Sequence, residues 1–561
     1  MKLSNPSLRQ HQRESFVPNA EQMAKGLTGI RRVIRKGNGK GRIVLPTGTG
    51  KTMIEAKTIV EIIQELQIEG VWGGVHVVLS PRILLAYQQL DEFIGFLGRD
   101  GIDCEYMVVN SGGLNSVQYE SKLLKMGFDN PEEIESTTCK ATIIQKIESA
   151  RKKNLPLILF STYHSVGRVE EAAVECKVDI QSYIFDEAQY CVSSGDFQHV
   201  PNFASIFKFF FTATEKYTDS DDGLGMNNEK KFGKLLFIES PKTLIERGEM
   251  ASVAIHLVGS RGQTIKDDDY EAMAKVVVDA FDKHRIVMKA HAFLPDTIGP
   301  KMIVVCDKQD SLRGIMRSKT MKDYRMNNPG VTLCGLSSEF GIEVNGVYSP
   351  RVNNKNKEVL IAKMRGLKPE DEAIVLHVDM IAEGLDVPGI TAVMPFRNLS
   401  KIKFLQNLGR GTRLVSADRE RLYSGDLQPM DWKTVDGAYL GKYIKPYCWL
   451  VLPVLSSDYY DAKRRYQDYI DALRSEYGFN SSEMVVIDNI VAPPEDKPLE
   501  DMVGKRIRKF VLGAGLIGEI VHEIEDAEAM TEFMDHSFTF NLLSPAEQIN
   551  LLREIYNKET A

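Results

Sequence analysis

A short loop, residues 45–52, carries the residue types with the clearest chemistry, in the order Leu-Pro-Thr-Gly-Thr-Gly-Lys-Thr. An apolar run of strand length, 41–46, leads into the loop, and an amphipathic run follows it. Backbone amides at such a strand–turn–helix junction bind phosphate oxygens. Lys51 would reach the β- and γ-phosphates of a nucleoside triphosphate, and the Thr52 hydroxyl would hold Mg²⁺. Leu45 stands where the strict pattern has glycine, so the match is to the relaxed form. The other residues expected to cradle phosphate are Thr47, Gly48, Thr49 and Gly50.

Two adjacent carboxylates, Asp186 and Glu187, come at the end of a second apolar run, 182–188. Ligands of open α/β sheets bind at the carboxyl ends of the strands, where this pair is expected to lie. Asp186 would hold Mg²⁺ through water, and Glu187 would orient or deprotonate an attacking water molecule. Taken alone, such a pair could instead be a helix N-terminal charge pair. Together with the phosphate loop, it predicts a site for nucleoside triphosphate hydrolysis.

A third group of candidate residues lies in the segment 406–413. Arg410 and Arg413 are three residues apart, so they share a face if the segment is a helix. Two guanidinium groups that converge on one polyphosphate would stabilise the charge of the transition state. These arginines would come from a second domain, so we expect ATP to lie between two domains and to control their closure. For this segment alone, a solvated basic helix is the alternative.

Short apolar runs alternate with amphipathic segments, and these elements must position the candidate residues. In the first part of the chain the runs are 41–46, 75–81, 155–161, 182–188 and 207–214. The alternation predicts an α/β architecture, a parallel sheet with helices on both faces. A second series of runs predicts a second α/β domain. Its runs are 301–307, 373–379 and 390–396.

The composition is that of a folded protein with several domains. The 561 residues are 43% hydrophobic and 26% charged, which is ordinary globular usage. The net charge of −7 neither indicates nor excludes a nucleic-acid partner, because a local basic cleft can bind phosphates. The 7 cysteines form no CxxC pair and no zinc-ligand spacing, so we expect reduced thiols in the cytoplasm. No apolar run reaches the ~18 residues of a membrane span, and we expect no membrane partner.

The ordered motif set resembles that of superfamily 2 helicases and translocases. Besides the three groups above, it includes a glutamine motif, motif Ia, a further nucleic-acid motif, and motifs III, IV and V. In that order these lie at 8–12, 79–82, 160–164, 211–214, 303–306 and 382–388. The resemblance implies an α/β chain with two RecA-like parallel-sheet lobes in tandem and a mixed, largely helical C-terminal region. The lobes are expected at 1–240 and 241–455, and the accessory region at 456–561.

The resemblance also implies roles for individual residues. Gln12 would read the adenine edge with Arg9 beside it, and Gly384 and Asp386 of motif V would contact the nucleotide. The catalytic residues expected from the second lobe are Gln406, Arg410 and Arg413. One strand of nucleic acid would be held through its phosphates, without sequence specificity. The residues expected at that surface are Pro81, Arg82, Thr162, Tyr163, Thr212 and Thr214.

The residues of two motifs favour the DNA-directed branch of the superfamily. Asp-Glu-Ala-Gln at 186–189 replaces the Asp-Glu-Ala-Asp of the RNA-helicase branch, and Thr-Ala-Thr at 212–214 replaces its Ser-Ala-Thr. The chain resembles restriction-enzyme motor subunits, the XPB and RecG types and phage UvsW-type helicases. This resemblance implies an ATP-dependent DNA helicase or translocase, with branch migration, fork remodelling or R-loop removal as tasks. We expect it in the cytoplasm of a bacterial or phage-infected cell, or in the nucleus of a eukaryote.

Three other functions stay open on the sequence. They are the motor subunit of a restriction or defence complex, an RNA helicase, and an ATP-switched nucleic-acid-binding protein that does not translocate. The expected cofactors are ATP and Mg²⁺. The expected partner is DNA of any sequence, single-stranded, branched or duplex, and the C-terminal region is the expected site for protein partners.

Overall fold

A computed structural model of the chain divides into two compact units, Met1–Glu239 and Ser240–Ala561. The structure describes residues 8–81, 83–110, 136–193, 195–218, 223–259, 265–266, 268–291, 298–337, 340–349, 360, 363–364, 366–378, 387, 389–396, 399–427, 443–454, 469, 471–477, 485–488, 507–512 and 516–522. No helix among these residues is both long enough and apolar enough to cross a membrane.

The first unit is built on one sheet of eight strands, and neighbouring strands are parallel throughout. The strands are β1 (Gly39–Val44), β2 (Val75–Ser80), β3 (Glu105–Val109), β4 (Ser136–Thr137), β5 (Leu157–Thr162), β6 (Ile180–Phe185), β7 (Phe207–Thr212) and β8 (Lys234–Ile238). Their spatial order is β4-β3-β5-β2-β6-β7-β1-β8. The five apolar runs predicted for this part of the chain correspond to β1, β2, β5, β6 and β7.

Apolar layers cover both faces of this sheet. In β2, Val78 packs on one face with Ile59 and Phe93, while its neighbour Val77 packs on the other with Ile147. The first face is therefore covered by the helices Lys51–Ile68 and Ile83–Arg99, and the second by Lys140–Lys153 and Val166–Cys176. Two-sided burial explains why these strands have continuous rather than alternating apolar sequences. The helices described in this unit are Gln10–Phe16, Ala20–Ala24, Ile30–Ile34, Lys51–Ile68, Ile83–Arg99, Lys140–Lys153, Val166–Cys176, Tyr190–Ser193 and Glu229–Phe232.

The strand register brings the candidate motifs to one edge of the sheet. Val44 at the end of β1 pairs with Thr212 at the end of β7, and Ser80 at the end of β2 pairs with Thr162. Because all the strands are parallel, their carboxyl ends meet at this edge. The phosphate loop follows β1 and the acidic pair follows β6, with β7 lying between these two strands.

The second unit contains a mixed sheet of eleven strands. They are β9 (Ser252–Gly259), β10 (Lys301–Val305), β11 (Val331–Ser337), β12 (Gly341–Val344), β13 (Val347–Ser349), β14 (Glu372–Val378), β15 (Ala392–Pro395), β16 (Tyr447–Val454), β17 (Val485–Asp488), β18 (Ile507–Leu512) and β19 (Leu516–His522). The order is β13-β12-β11-β14-β10-β15-β16-β9-β17-β18-β19, and β11–β12, β12–β13 and β18–β19 are its antiparallel pairs. The parallel centre of this sheet includes the three predicted runs as β10, β14 and β15.

Helices also cover both faces of the second sheet. Ile303 and Phe404 belong to one apolar layer, and Val304 and Phe281 to the other. The described helices are Pro241–Glu246, Tyr270–His291, Gln309–Arg317, Lys319–Asn327, Lys401–Gly411 and Ser416–Ser424. The α/β fold class with two parallel-sheet centres in tandem is therefore confirmed.

The C-terminal region adds strands where we expected mainly helix. Its described part contains β17, β18 and β19, which extend the second sheet beyond β9. A helical stretch is described at 471–477, inside the helix predicted over 459–479. The helix predicted to start near Ser544 lies outside the described residues.

Candidate functional site

The phosphate loop is a tight turn between β1 and an 18-residue helix that begins at Lys51. Gly48 and Gly50 have φ of 86° and 79°, a backbone region that glycine adopts without strain. The Thr49 hydroxyl donates to the carbonyl of Pro46 at 2.8 Å, which closes the turn. Thr47 lies in the turn and Thr52 is the second residue of the helix. The loop therefore presents backbone amides and the positive end of a helix dipole, as phosphate binding requires.

The glutamine motif packs directly on this loop. The Gln12 side-chain amide donates to the carbonyl of Thr49 at 3.1 Å and to that of Gly50 at 3.3 Å. Its carbonyl oxygen accepts the backbone N–H of Arg9 at 2.9 Å. His11, which we did not single out, also contacts the Thr49 carbonyl through Nε2 at 2.9 Å. In this structure Gln12 thus supports the phosphate loop, and its contact with adenine stays a prediction.

The acidic pair lies beside the loop lysine. Lys51 Nζ is 3.7 Å from Glu187 Oε1. The Gln189 amide donates to Glu187 Oε2 at 2.7 Å, and the Thr212 hydroxyl donates to the Gln189 carbonyl oxygen at 2.6 Å. Glu187 has a φ of 50°, an uncommon conformation for a non-glycine residue. The end of β7 therefore holds Gln189, and Gln189 in turn orients the carboxylate predicted to act on water.

Two further residues of this site, Glu55 and Gln89, were not predicted from the sequence. Gln89 donates from its amide to Asp186 Oδ2 at 2.9 Å and to Glu55 Oε2 at 3.4 Å, and its carbonyl oxygen accepts the Ser80 hydroxyl. Glu55 is fully buried on the helix that begins at Lys51. The signal for Glu55 was a carboxylate inside an otherwise apolar helix face. Gln89 gave no signal, because its role depends on contacts between distant segments.

Burial changes the proton affinities of this cluster. It raises the pKa of Asp186 to about 7, the negative charge of Glu187 adds to the rise, and Lys51 opposes it. Burial also raises the pKa of Glu55 well above its ordinary value, and the charge of Asp186 is the second cause. Both rises reflect the cost of placing two negative charges close together away from water.

The residues predicted to contact nucleic acid are mostly buried. Tyr163 stacks on Phe197 with ring centroids 5.4 Å apart, and its hydroxyl donates to the backbone carbonyl of Asp186 at 2.7 Å. The Thr162 hydroxyl donates to Ser165 Oγ at 3.1 Å, and Thr212 is bonded to Gln189 as above. These three side chains are bonded within the unit, and contact of this surface with a strand through backbone amides and hydroxyls stays a prediction. Pro81 and Thr214, at the same edge of the sheet, are partly exposed.

The arginine segment, residues 406–413 of the second unit, begins within the helix Lys401–Gly411, and Ser400 caps the N-terminus of this helix. The Ser400 hydroxyl accepts the N–H of Lys403 at 3.4 Å, and the helix ends at Gly411. Arg410 therefore lies in the last turn, while Arg413 lies after the helix end. Our expectation that both share one helix face is corrected accordingly. Gln406, Arg410 and Arg413 are all partly exposed.

Three predicted site residues, Arg82, Gly384 and Asp386, lie outside the described residues. No cluster of three or more histidine, cysteine or acidic side chains suited to a metal ion is found in the part of the chain that the structure describes.

Comparison with known proteins agrees with this geometry. Residues 5–216 match the family described as "Type III restriction enzyme, res subunit". No curated protein matches the chain.

Among solved structures, the ATP-dependent Type ISP restriction-modification enzyme LlaBIII bound to DNA superposes with a TM-score of 0.50 and 17% identity. The match covers 80% of this chain and 28% of that enzyme, so the chain spans little more than a quarter of its length. A fragment of an HsdR subunit of a type I restriction enzyme from Vibrio vulnificus YJ016 gives a TM-score of 0.46 at 18% identity, over 82% of this chain and 68% of that one.

The matched segment contains the glutamine motif, the phosphate loop, the acidic pair and motif III, on a sheet with parallel pairing throughout. The superfamily 2 resemblance of the motifs is thus confirmed for the segment that the family model matches, residues 5–216.

Proposed function

We propose that the chain is an ATP-dependent DNA helicase or translocase whose first unit binds and hydrolyses ATP. The observation that carries the proposal is the convergence of Lys51 and Glu187, 3.7 Å apart, at the carboxyl edge of a parallel sheet. A phosphate-binding lysine and a catalytic base must lie this close for both to act on one γ-phosphate.

ATP would bind with its phosphates along the loop. The backbone N–H groups of Gly48, Thr49, Gly50 and Lys51 would donate hydrogen bonds to the phosphate oxygens, and the helix dipole would favour the negative charge of these oxygens. Lys51 would then exchange Glu187 for the β- and γ-phosphates, which would release the carboxylate toward water. Gln12 would couple the adenine-binding pocket to the loop, because its amide donates to the Thr49 and Gly50 carbonyls.

The oxygen donors beside the loop suit Mg²⁺. Thr52 supplies a hydroxyl and Asp186 a carboxylate, and hard cations prefer such ligands. The ion would neutralise charge on the β- and γ-phosphates. Gln89 fixes one oxygen of Asp186 at 2.9 Å, and the N–H of Glu187 donates to the other at 2.9 Å.

Hydrolysis would need one base and several fixed positive charges. Glu187 would accept a proton from water as the water oxygen bonds to the γ-phosphorus, and the bond to the β-phosphate oxygen would break to give ADP and phosphate. Lys51 would neutralise negative charge in the transition state. We propose that Arg410 and Arg413 add to this neutralisation from the second unit, with Gln406 beside them.

DNA is the favoured polymer for two reasons. The motif residues at 186–189 and 212–214 resemble the DNA-directed branch, and the family match is to a restriction-enzyme subunit. Changes of the nucleotide state would alter the edge of the first sheet that carries Thr214 and Pro81, and so the grip on a strand.

A second candidate function is the motor subunit of a restriction or defence complex. The family description names a restriction-enzyme subunit, which favours this alternative. It requires a partner that methylates or cuts DNA. Copurification of such a partner with the tagged chain would support it, whereas an active chain that purifies alone would count against it.

The test is steady-state ATP hydrolysis with no polymer and with single-stranded DNA, branched DNA, duplex DNA or RNA. We expect strong stimulation by DNA that Lys51→Ala abolishes. Lys25→Ala, which removes an exposed lysine paired with Glu21 at 2.7 Å, is the matched control. Stimulation by RNA alone would move the protein to the RNA branch. ATP-dependent DNA affinity without turnover would indicate a nucleotide switch.

A further inference from the structure

A buried lysine lies behind the arginine segment of the second unit. Lys445 is only 3% exposed, immediately before β16. Its ammonium group donates to the carbonyl of Arg413 at 2.6 Å and also to the carbonyl of Gly411. The carbonyl of Thr412, between them, accepts the N–H of Ala251 at 2.9 Å. Three successive carbonyls that follow the helix are thus each held by a donor.

Lys445 is itself held in place by a buried carboxylate. Asp418 accepts the backbone N–H of Ile444 at 2.8 Å and that of Lys445 at 2.9 Å. Asp418 is fully buried at the start of the helix Ser416–Ser424. Lys445 therefore links the segment before β16 to the turn that carries Arg413, and Asp418 links the same segment to the helix Ser416–Ser424.

This arrangement suits a helix end that must stay rigid. The last carbonyls of a helix have no partners within it and carry partial negative charge. A buried ammonium satisfies them and is in turn satisfied, because a buried charge without hydrogen bonds is costly. Burial is the main cause that lowers the pKa of Lys445 to about 8; Cys448 and Asp418 raise this pKa, whereas Arg413 and Lys301 lower it.

We propose that Lys445 is a positioning residue that fixes the backbone from which Arg410 and Arg413 project. The inference rests on the proposed function, in which these two arginines act on ATP. Lys445 touches no reacting atom in this proposal and acts only through the segment 411–413.

The kinetic test compares Lys445→Met with Lys301→Met. Lys301 is an equally buried lysine of the same unit, but its ammonium donates to the Pro369 carbonyl at 2.6 Å and not to a carbonyl of the arginine segment. In Lys445→Met we expect kcat for DNA-stimulated ATP hydrolysis to fall at least tenfold, while KM for ATP and DNA affinity without nucleotide change less than threefold. Lys301→Met should keep kcat. Equal kcat values for both variants would overturn the proposal.

A double-mutant cycle separates positioning from general stability. In an Arg410→Ala/Arg413→Ala background, Lys445→Met should lower kcat no further, because it acts through those arginines. A full additional tenfold loss in that background would contradict the proposal. If wild-type protein shows no ATP hydrolysis, it is the proposed function that fails.

Limited trypsin cleavage tests the same inference without relying on turnover. Trypsin cuts after arginine, so a loosened segment should be cleaved after Arg410 and Arg413 at least tenfold faster in Lys445→Met than in wild type or Lys301→Met. An unchanged rate at these sites would overturn the proposal. If Lys445→Met does not fold, Asp418→Asn replaces it, and cleavage after Arg410 and Arg413 should again be faster than in wild type, by a smaller factor. An unchanged cleavage rate in Asp418→Asn would also overturn the proposal.

Discussion

Buried carboxyl groups hold the candidate site of the first unit, whereas a buried lysine holds the arginine segment of the second. Beside the phosphate loop, Glu55 is fully buried and Asp186 is half-buried. The second unit buries Lys301 and Lys445, together with the Asp418 carboxylate that holds the Lys445 backbone. Burial disfavours charge in both cases, so it raises the pKa of the acids and lowers that of the lysines, to about 8 for each lysine. The partners differ as well: the acids contact other side chains, and the lysines contact backbone carbonyls.

This difference indicates two kinds of task. Carboxyl groups held by other side chains can exchange hydrogen-bond partners when phosphate and a cation bind. Ammonium groups that hold backbone carbonyls fix a conformation instead. The first unit is therefore suited to chemistry that changes from step to step, and the second to presenting arginines in a constant position.

The largest effect is expected from Glu187→Gln. Removing the proposed base should lower kcat by about 10²- to 10⁴-fold, while ATP affinity is retained because Lys51 and the loop remain. Stopped-flow binding and steady-state turnover measure the two quantities. Glu229→Gln, at an exposed glutamate of the same unit, should leave both unchanged. Turnover at the wild-type rate in Glu187→Gln would show that another residue is the base.

A glycine of the phosphate loop should be needed for space as well as for conformation. A Cβ on Gly50 would lie 2.5 Å from Gln12 Nε2, whereas one on Gly70, at a similar φ of 71°, would meet nothing within 4 Å. Both alanine variants should lose about 1–2 kcal/mol of stability from left-handed strain. Gly50→Ala alone should weaken ATP binding, by tenfold or more in calorimetric titration. Equal ATP affinities for the two variants would mean that the packing of Gln12 on the loop is unimportant.

The buried Glu55 and the buried lysines should contribute to stability with opposite dependence on pH. Because the pKa of Glu55 is raised in the folded state, its stabilising contribution is present below its ordinary value of 4.5 and is lost as pH rises. Glu55→Gln should therefore raise Tm at pH 8 by about 2–4 °C, which is roughly 1 kcal/mol for a unit of this size. Glu61→Gln on the same helix, which removes a partner of Arg31, is the matched control and should not raise Tm.

The buried lysines of the second unit should contribute to stability with the reverse dependence on pH. A folded pKa of about 8 against an ordinary 10.5 means that the unfolded chain binds more protons between these values. The contribution of these lysines to the stability of the second unit should therefore rise from pH 8 toward pH 10. Thermal unfolding of wild type and Lys301→Met across this range measures the contribution as the difference between the two pH profiles. Parallel profiles would show that burial of Lys301 does not affect stability.

The smallest effect is expected from Tyr163→Phe. It removes the bond from the Tyr163 hydroxyl to the Asp186 carbonyl, which should cost about 0.5–1.5 kcal/mol and lower kcat a few-fold. Tyr348→Phe removes a similar bond to the Phe340 carbonyl in the second unit, at 2.6 Å, and should lower stability without changing kcat. If Tyr163→Phe and wild type had the same kcat, the Tyr163 hydroxyl would contribute to stability alone.

The sequence predicted the strands that carry the site because they are buried on both faces. Continuous apolar runs such as 75–81 and 207–214 mark such strands, and β2 and β7 lie within them. The phosphate loop and the acidic pair were found because their chemistry needs particular residues next to each other in the chain. Parallel pairing then brings both to one sheet edge, which alternation of strands and helices already implied.

What the sequence did not reveal depends on contacts between distant segments. Gln89 and Asp186 are 97 residues apart and Lys445 and Arg413 are 32 apart, so no local pattern marks either pair. The burial of Tyr163 was missed because an aromatic residue after a strand suits a nucleic-acid surface as well as a core. The strands β17–β19 were missed because edge strands in a polar region carry weak periodicity.

Movement along DNA is tested most directly by displacement of a labelled third strand from duplex DNA. A protein that tracks the duplex should release the third strand only with ATP, after a delay that grows with its distance from the loading site. We expect this result from the wild-type chain and no release from Lys51→Ala. ATP hydrolysis on duplex, single-stranded and branched DNA without any displacement of third strand or partner strand would contradict a motor and indicate a nucleotide-driven switch.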